Sequence, residues 1–347
     1  MPFISDNNIT PDDFRQRVNL TAKCWSCLNN DRIVFSDTSK PFSLSGLMNK
    51  IIEVFPETAN SAISRRLDEY ERSIRELYKD KIKRNADLVD VLVSIKREEL
   101  LSMPYIKMEK GVAQNIRINK QAFEYIKNCS EDIYYNNYLG GYLHALFEEY
   151  TLLPSGEREK IIYAEKKEII EDALIMKNAL MIRTRGKDYT IIPYKLINSS
   201  ANGHCYLVGL PIDEKQEINP KPFRFTRLDI VKRLKDKAYT IDKRTKKIID
   251  EMIIERDPAF LIGEMYDVKV RLSEQGLELL SVISNHRPKC TETICNPDGT
   301  YDKTFRCTEY QARIYFIAFG AEATILSPQK LLIELKKIYE KAANKYK

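Results

Sequence analysis

Three apolar-rich segments follow one another between Asp188 and Leu234: YTIIPYKLI at 189–197, SSANGHCYLVGL at 199–210 and KPFRFTRLDIVKRL at 221–234. Short segments of this kind, bounded by Gly, Pro, Asn and Ser, are typical of β-strands. A further apolar segment at 179–185 would form a hairpin with the first of them through the turn at 186–188. Several short strands joined by tight turns predict a small β-barrel at the centre of the chain.

The central strands carry residues that resemble the WYL domain, an Sm-like, SH3-type barrel found in bacterial regulators. The chain has IPY at 192–194, then Tyr206 and Leu207 of the naming tripeptide Trp-Tyr-Leu, then FRFTRL at 223–228. Cys205 stands where the family usually has tryptophan. The resemblance implies a WYL barrel, which we place at residues 176–250.

Before the barrel, two stretches each predict a strand followed by two helices. The first strand is expected at 40–45 and the second at 114–119, because apolar and polar residues alternate there. Helical spacing of apolar residues follows each of them, with a helix stop predicted at Pro56 in the first stretch.

Strand–helix–helix is the half-unit of a ribbon-helix-helix arrangement, in which two strands pair into one ribbon. We therefore expect a ribbon-helix-helix-like region over 40–175, with half-units at 40–78 and 112–152, after a loosely ordered arm at 1–39.

The outer face of such a ribbon is the face that contacts nucleic acid. The second half-unit offers Asn115, Arg117 and Asn119, whereas the first offers only Ser43 and Ser45. Reading a palindromic site requires two equivalent faces, so this asymmetry weakens the case for operator binding. A ribbon that serves only as a scaffold or dimerisation unit is the alternative interpretation.

The region after the barrel is similar to the extension that often follows a WYL domain, and we place it at 260–347. It predicts strands at 268–272, around 306–308 and at 311–316, and helices at 276–284 and 329–343. The predicted fold class is therefore α+β and multidomain. The order of the three regions resembles that of the WYL accessory proteins of type VI-D CRISPR systems, which implies an RNA-guided RNA nuclease as partner.

Positive charge is concentrated at the end of the barrel region. Between residues 221 and 247, eleven Lys or Arg oppose three Asp, so the local net charge of +8 exceeds the +6 of the whole chain. Basic residues interleaved with tyrosines indicate binding of phosphate backbone and unpaired bases. The alternative is that the lysine-rich run is a solvated helix face and that Tyr206 belongs to the core. The candidate binding residues are Arg183, Arg185, Tyr194, Lys195, Tyr206, Arg224, Arg227, Lys232 and Arg233.

Catalytic and metal-binding patterns are missing from the sequence. It contains no GxxxxGK[ST], HExxH or GxSxG motif, so we expect a non-enzyme without cofactor or metal. The CxxC at Cys24 and Cys27 lacks a second ligand pair, and we interpret it as two small apolar side chains flanking an anchoring Trp25. The N-terminus does not resemble a signal peptide, and no apolar run approaches the roughly 20 residues that span a bilayer. We expect a cytoplasmic protein with reduced thiols.

Three hypotheses for function follow. The first is a non-catalytic accessory protein that binds single-stranded RNA and modulates a type VI-D nuclease. The second is a transcriptional regulator whose ribbon binds DNA and whose WYL pocket senses a small anionic ligand. The third is a dimeric scaffold that binds only protein. A homodimer is expected in each case, because ribbon-helix-helix and WYL proteins commonly self-associate.

Overall fold

The computed structural model describes residues 14–36, 42–77, 86–101, 111–128, 139–212 and 219–346. The chain divides into two compact units, Met1–Ala164 and Glu165–Lys347. Within the described residues, none of the helices has the length and apolar character needed to cross a membrane.

The first unit contains a two-stranded sheet and six helices among its described residues. In chain order they are β1 (Arg15–Leu20), α1 (Ala22–Val34), α2 (Leu44–Leu77), α3 (Ala86–Leu101), β2 (Val112–Arg117), α4 (Lys120–Asn128), α5 (Leu139–Leu152) and α6 (Ser155–Ile162).

Strands β1 and β2 pair antiparallel into a ribbon, with Arg15 opposite Arg117 and Asn19 opposite Ala113. Alternation along β1 buries Val18 and Leu20 on the inner face. These side chains join one core with apolar residues of α1, α2, α4, α5 and α6. The ribbon is thus fixed from one side, and its other side stays exposed.

The first ribbon strand lies in the segment that the sequence predicted to be a loosely ordered arm. That prediction is wrong, because β1 and α1 fill much of residues 15–34. The strand predicted at 40–45 is wrong as well, because α2 begins at Leu44. The apparent alternation there is a helix start: the Ser43 hydroxyl accepts a hydrogen bond from the Gly46 N–H, and Phe42 packs on the core.

Helix α2 also continues through Pro56, where the sequence predicted a stop. A proline inside a helix removes one backbone hydrogen bond but does not forbid the helix when packing supports it. Leu47, Ile51 and Phe55 are fully buried before the proline, and Leu67 is buried after it. The second half-unit follows the predicted order, with β2 ending at Arg117.

The second unit opens with helix α7 and a five-stranded antiparallel sheet, followed by a smaller sheet. Its elements are α7 (Ala164–Ile175), β3 (Asn178–Thr184), β4 (Lys187–Asn198), β5 (Cys205–Pro211), β6 (Lys221–Arg224), β7 (Ile230–Ala238), α8 (Lys243–Arg256), β8 (Met265–Leu272), α9 (Glu274–Val282), β9 (Lys289–Cys295), β10 (Tyr301–Thr308), α10 (Glu309–Phe316), β11 (Ala323–Ser327) and α11 (Gln329–Ala343). Helices α6 and α7 are separated at Tyr163.

The central sheet has the strand order β6-β5-β4-β3-β7. The predicted hairpin is β3–β4, whose turn residues Arg185 and Gly186 have φ of 50° and 74°, the left-handed values that a tight hairpin requires. Within the described strands, β6 and β7 are not hydrogen-bonded to each other, so the sheet is open and not the predicted closed barrel. Closure fails because β6 ends after four residues and the chain turns into a 3₁₀ helix at Phe225–Arg227.

The second sheet has the order β11-β8-β10-β9 and packs its apolar face on α10 and α11. The segment 311–316 was predicted as a strand, but it belongs to helix α10. Thr308 caps that helix by accepting a hydrogen bond from the Gln311 N–H, and the spacing of buried Ala312, Tyr315 and Phe316 fits a helix face.

Candidate functional site

A cavity of about 730 Å³ lies in the second unit, with part of its lining from the central sheet. The basic residues of this lining are Arg185, Lys187, Lys221, Arg224 and Arg227, and two histidines, His204 and His286, join them. None of the described residues that line the cavity is Asp or Glu. The cavity therefore has the charge of an anion-binding site, and we refer to it as the basic cavity.

Local backbone geometry brings Arg224 and Arg227 together. Arg224 ends strand β6, opposite Tyr206 of β5, and the 3₁₀ helix follows at once. A 3₁₀ helix has three residues per turn, so residues three apart lie on the same side. Phe225 and Leu228 are fully buried and hold this turn against the core. The two arginines therefore face the same cavity.

The surroundings of Arg227 disfavour its positive charge. The pKa of Arg227 is lowered by burial and further by the nearby guanidinium groups of Arg185 and Arg224. The Nε of Arg224 is buried without a hydrogen-bond partner among the described residues, and its Nη2 lies 3.4 Å from Nδ1 of His204. Within the described residues, no carboxylate pairs with any of the three arginines.

Four of the nine candidate residues predicted in this region line the basic cavity: Arg185, Tyr206, Arg224 and Arg227. Arg183 does not line it. Its guanidinium donates to both carboxylate oxygens of Asp188, at 2.6 and 2.8 Å, on the strand next to its own. Arg183 thus has the bidentate partner that the cavity arginines lack.

Tyr194 and Lys195 line a second, smaller cavity of about 380 Å³, together with Lys177 and Tyr239. The pKa of Tyr194 is raised to about 12 by burial and by the neighbouring carboxylate of Asp250. Its hydroxyl therefore stays protonated at neutral pH.

The last two predicted residues lie on β7, the opposite edge of the central sheet from β6. Lys232 is exposed, and Arg233 pairs with Asp172 at 3.3 Å. The basic residues between 221 and 247 are thus divided between different surfaces of the second unit.

Sequence reasoning missed several cavity residues, above all those that follow α8. Phe260, His286 and Tyr310 line the basic cavity but are separated from the arginines by long stretches of chain. No motif or spacing in the sequence connects them. Lys187 and Lys221 lie near the ends of predicted strands. Their closeness to turns is the one sequence feature that could have suggested them as cavity residues.

The outer face of the ribbon carries more positive charge than the sequence suggested. Arg15 and Arg17 of β1 are exposed, and the antiparallel register places them opposite Arg117 and Asn115. Ser43 and Ser45, which the sequence assigned to the first face, are not in the ribbon at all. The predicted asymmetry between the two strands is therefore wrong.

Asn119 does not belong to the outer face either. Its Oδ1 accepts a hydrogen bond from the Ala122 N–H at 2.7 Å, which caps helix α4, and its Nδ2 donates to Glu53 at 2.8 Å. Asn115 and Arg117 are the two predicted ribbon residues that are exposed on β2 without such a capping role.

The CxxC pair lies on helix α1. Cys24 is fully buried in the core of the first unit, whereas Trp25 is 38% exposed and does not anchor the segment as expected. Among the residues that the structure describes, no group of three or more His, Cys, Asp or Glu could hold a metal ion.

No family model matches the sequence, and no curated protein matches it. Among solved structures, the chain is similar to a CRISPR Cas-related protein, with a TM-score of 0.69 and 20% identity. That likeness covers 99% of this chain and 97% of the other one, and it shows a shared fold. Proteasome accessory factor B/C of Arthrobacter aurescens matches 49% of this chain and 26% of its own, at 16% identity and a TM-score of 0.25, which is too low for an argument.

Proposed function

We propose that this chain is a non-catalytic nucleic-acid-binding regulatory protein and that its basic cavity binds single-stranded RNA. The observation that carries this proposal is the group Arg185, Arg224 and Arg227, which converges on one cavity without a described carboxylate partner. Arg224 is half-buried, whereas Arg185 and Arg227 are exposed, and a half-buried charge is costly unless it is paired. A phosphate of the RNA backbone would supply the missing negative charge beside the three guanidinium groups.

The shape and lining of the cavity favour an unpaired strand over a duplex. Aromatic rings line it beside the arginines, and the rings of Tyr189 and Phe223 are 5.4 Å apart. Unpaired bases stack on such rings, whereas a duplex offers its bases only through a groove. A concave site lined by arginines and aromatics therefore fits a single strand.

The biological setting is proposed from the fold. The similar CRISPR Cas-related protein shares the fold over nearly its whole length, and the order of regions resembles that of the type VI-D accessory proteins. We therefore propose that the chain acts in a CRISPR system, in which it would modulate an RNA-guided RNA nuclease. In this role the protein delivers or retains RNA and performs no chemistry on it.

Binding of a labelled, unstructured RNA, followed by fluorescence anisotropy, tests the proposal. Affinity is expected to fall by several orders of magnitude between about 50 and 200 mM salt if six or more phosphates are contacted, and less if fewer are. The combined Arg224→Ala and Arg227→Ala variant should lose most of the binding. Arg183→Ala is the matched control, because that guanidinium already has a carboxylate partner. Equal affinity of the double variant and the wild type would contradict the site.

A second candidate function, binding of duplex DNA, is favoured by the corrected ribbon. Its exposed outer face carries Arg15 and Arg17 of β1 opposite Arg117 and Asn115 of β2. An exposed basic and polar ribbon face fits proteins that read a groove with a β-ribbon.

The two candidates use different units of the chain, so variants separate them. Arg15→Ala with Arg17→Ala should weaken duplex binding and leave RNA binding unchanged, and the cavity variants should do the reverse. A gel-shift assay with a duplex and an RNA of equal length measures both. Loss of RNA binding in the ribbon variant would show that the cavity is not the RNA site.

A further inference from the structure

The basic cavity has a second, chemically different part. Besides the arginines, its lining contains Phe260, His286 and Tyr310, all from segments that follow α8. These three rings form a continuous group: the Phe260 centroid is 5.7 Å from that of His286 and 6.3 Å from that of Tyr310. One part of the cavity thus attracts an anion, and the other offers ring faces.

His286 is held in an unusual backbone conformation. Its φ is 62°, in the left-handed region that is uncommon for a residue with a side chain. Its N–H donates to the Ala201 carbonyl at 2.8 Å, and its own carbonyl accepts from Gln311 Nε2 at 3.2 Å. These bonds fix the position of the ring beside Phe260.

One nitrogen of the His286 imidazole is unsatisfied among the residues that the structure describes. Its Nδ1 is buried and has no hydrogen-bond partner among the described residues. Burial, and then the neighbouring His204, lower the pKa of His286, so the ring is neutral at pH 7. A neutral imidazole has one donor and one acceptor nitrogen, which are the two functions found along the edge of a nucleobase.

Tyr310 supplies an exposed ring at the same place. It lies on α10 and is 54% exposed, and the guanidinium carbon of Arg313 is 5.5 Å from its ring centroid. An exposed aromatic face of this kind is a stacking platform for a base. The cavity volume of about 730 Å³ is also larger than a lone phosphate requires, and it lies in the range typical of sites for small organic ligands.

We propose that the basic cavity binds one complete nucleotide of the RNA, base included. The phosphate lies against Arg185, Arg224 and Arg227. The base stacks on Tyr310 beside Phe260, and its edge hydrogen-bonds to His286. This inference rests on the proposed function and adds to it a contact with the base that phosphate binding alone does not require.

Calorimetric titration of the full chain tests the inference, with the four ribonucleoside 5′-monophosphates and ribose 5-phosphate as probes. Ribose 5-phosphate carries the phosphate and sugar without the base. The monophosphates are expected to bind roughly 5- to 150-fold more tightly, the ratio that stacking of one base provides. Equal binding of both kinds of probe, or no binding of any monophosphate at millimolar concentration, would overturn the inference.

Three variants test which residues contact the base. Tyr310→Ala and His286→Asn should lower the affinity for the monophosphates toward that for ribose 5-phosphate, and should leave ribose 5-phosphate binding unchanged. Tyr310→Phe, the control, keeps the ring and should bind as the wild type does. Asparagine is chosen at position 286 because it adopts the left-handed conformation more readily than most residues. Since Tyr310 is exposed, its variant is expected to fold even if the His286 variant does not.

The outcome separates this inference from the proposed function. If RNA binds through Arg224 and Arg227 while Tyr310→Ala and His286→Asn bind RNA and monophosphates normally, only the base contact is wrong. If the arginine variants bind RNA as the wild type does, the proposed function itself is wrong at this site.

Discussion

Replacement of Arg227 by alanine is expected to lower the RNA affinity of this protein without lowering its stability. Arg227 lines the basic cavity and is largely exposed, yet its pKa is lowered by partial burial and by the charges of Arg185 and Arg224. A lowered pKa of an arginine means that its surroundings disfavour the positive charge. Removal of the charge therefore removes an unfavourable interaction from the folded state without RNA.

The magnitudes follow from the charges involved. Two like unit charges about 4 Å apart repel by about 1 kcal/mol in water, and separation and salt reduce this value. We expect Arg227→Ala to leave the free energy of unfolding unchanged or to raise it by up to about 1 kcal/mol. The affinity for RNA should fall by about 10- to 150-fold, because a hydrogen bond to a charged group contributes about 1.5–3 kcal/mol.

Calorimetric unfolding and anisotropy titrations of the same protein samples measure the two effects. The titrations should be repeated over a range of salt concentrations, because each lost phosphate contact on a single strand reduces the slope of log K against log salt by about 0.7. Arg183→Ala serves as the control on the adjacent β3–β4 hairpin, since Arg183 is neutralised by Asp188. It should not alter the salt slope.

A parallel loss of stability and affinity would refute this reasoning. It would mean that Arg227 supports the fold of the 3₁₀ helix and acts on RNA only indirectly. An unchanged salt slope together with reduced affinity would also count against a direct phosphate contact.

Three further predictions concern the rest of the chain. Asp31 is 1% exposed and accepts two hydrogen bonds from Arg158, so Asp31→Asn should lower the free energy of unfolding by about 3–5 kcal/mol; urea denaturation followed by the fluorescence of the single tryptophan, which lies on the same helix, measures this loss. Asp172→Asn breaks an exposed pair and should cost less than about 1 kcal/mol. In the native protein at pH 8, iodoacetamide should alkylate exposed Cys290 but not Cys307, whose pKa burial raises to about 12. Mass spectrometry of the digested protein reads out the labelling, and rapid modification of Cys307 would contradict its burial.

The sequence predicted the elements whose local pattern agrees with their tertiary surroundings. Helix α11 begins and ends where its apolar spacing indicates, and the β3–β4 hairpin has the turn glycine that its φ requires. The second ribbon strand was predicted from its alternating apolar and polar residues. Ile116 and Ile118, the apolar residues of that pattern, face the core.

The same pattern misled where it was short. Phe42 and Leu44 alternate over a few residues, which fits a strand and a capped helix entrance equally well, and Ser43 decides for the helix. The true strand, RQRVNL at 15–20, contains only two apolar residues and so gives a weaker signal. Its pairing with β2, almost a hundred residues later, is a tertiary contact that no local pattern contains.

The candidate site was predictable only in part for a related reason. Arg224 and Arg227 lie in the segment that resembles the WYL domain, so the sequence points to them. Their convergence, however, depends on a 3₁₀ helix at a place where a continued strand was expected. A continued strand would also have placed residues 224 and 227 on opposite faces. The aromatic part of the cavity comes from Phe260, His286 and Tyr310, and only the folded second unit brings these residues to the arginines.

Local charge density is a weaker guide to this site than the pairing of individual arginines. The lysine-rich start of α8 has the highest density of positive charge, yet those residues do not line the basic cavity. Several other described arginines of the second unit pair with carboxylates, as Arg183 does with Asp188 and Arg271 with Asp302. By contrast, Arg185, Arg224 and Arg227 share a cavity that no described carboxylate lines, and the positive charge of Arg227 is disfavoured there. A bound anion would compensate those charges, and we therefore propose the nucleic-acid contact at this cavity and not on the lysine-rich helix.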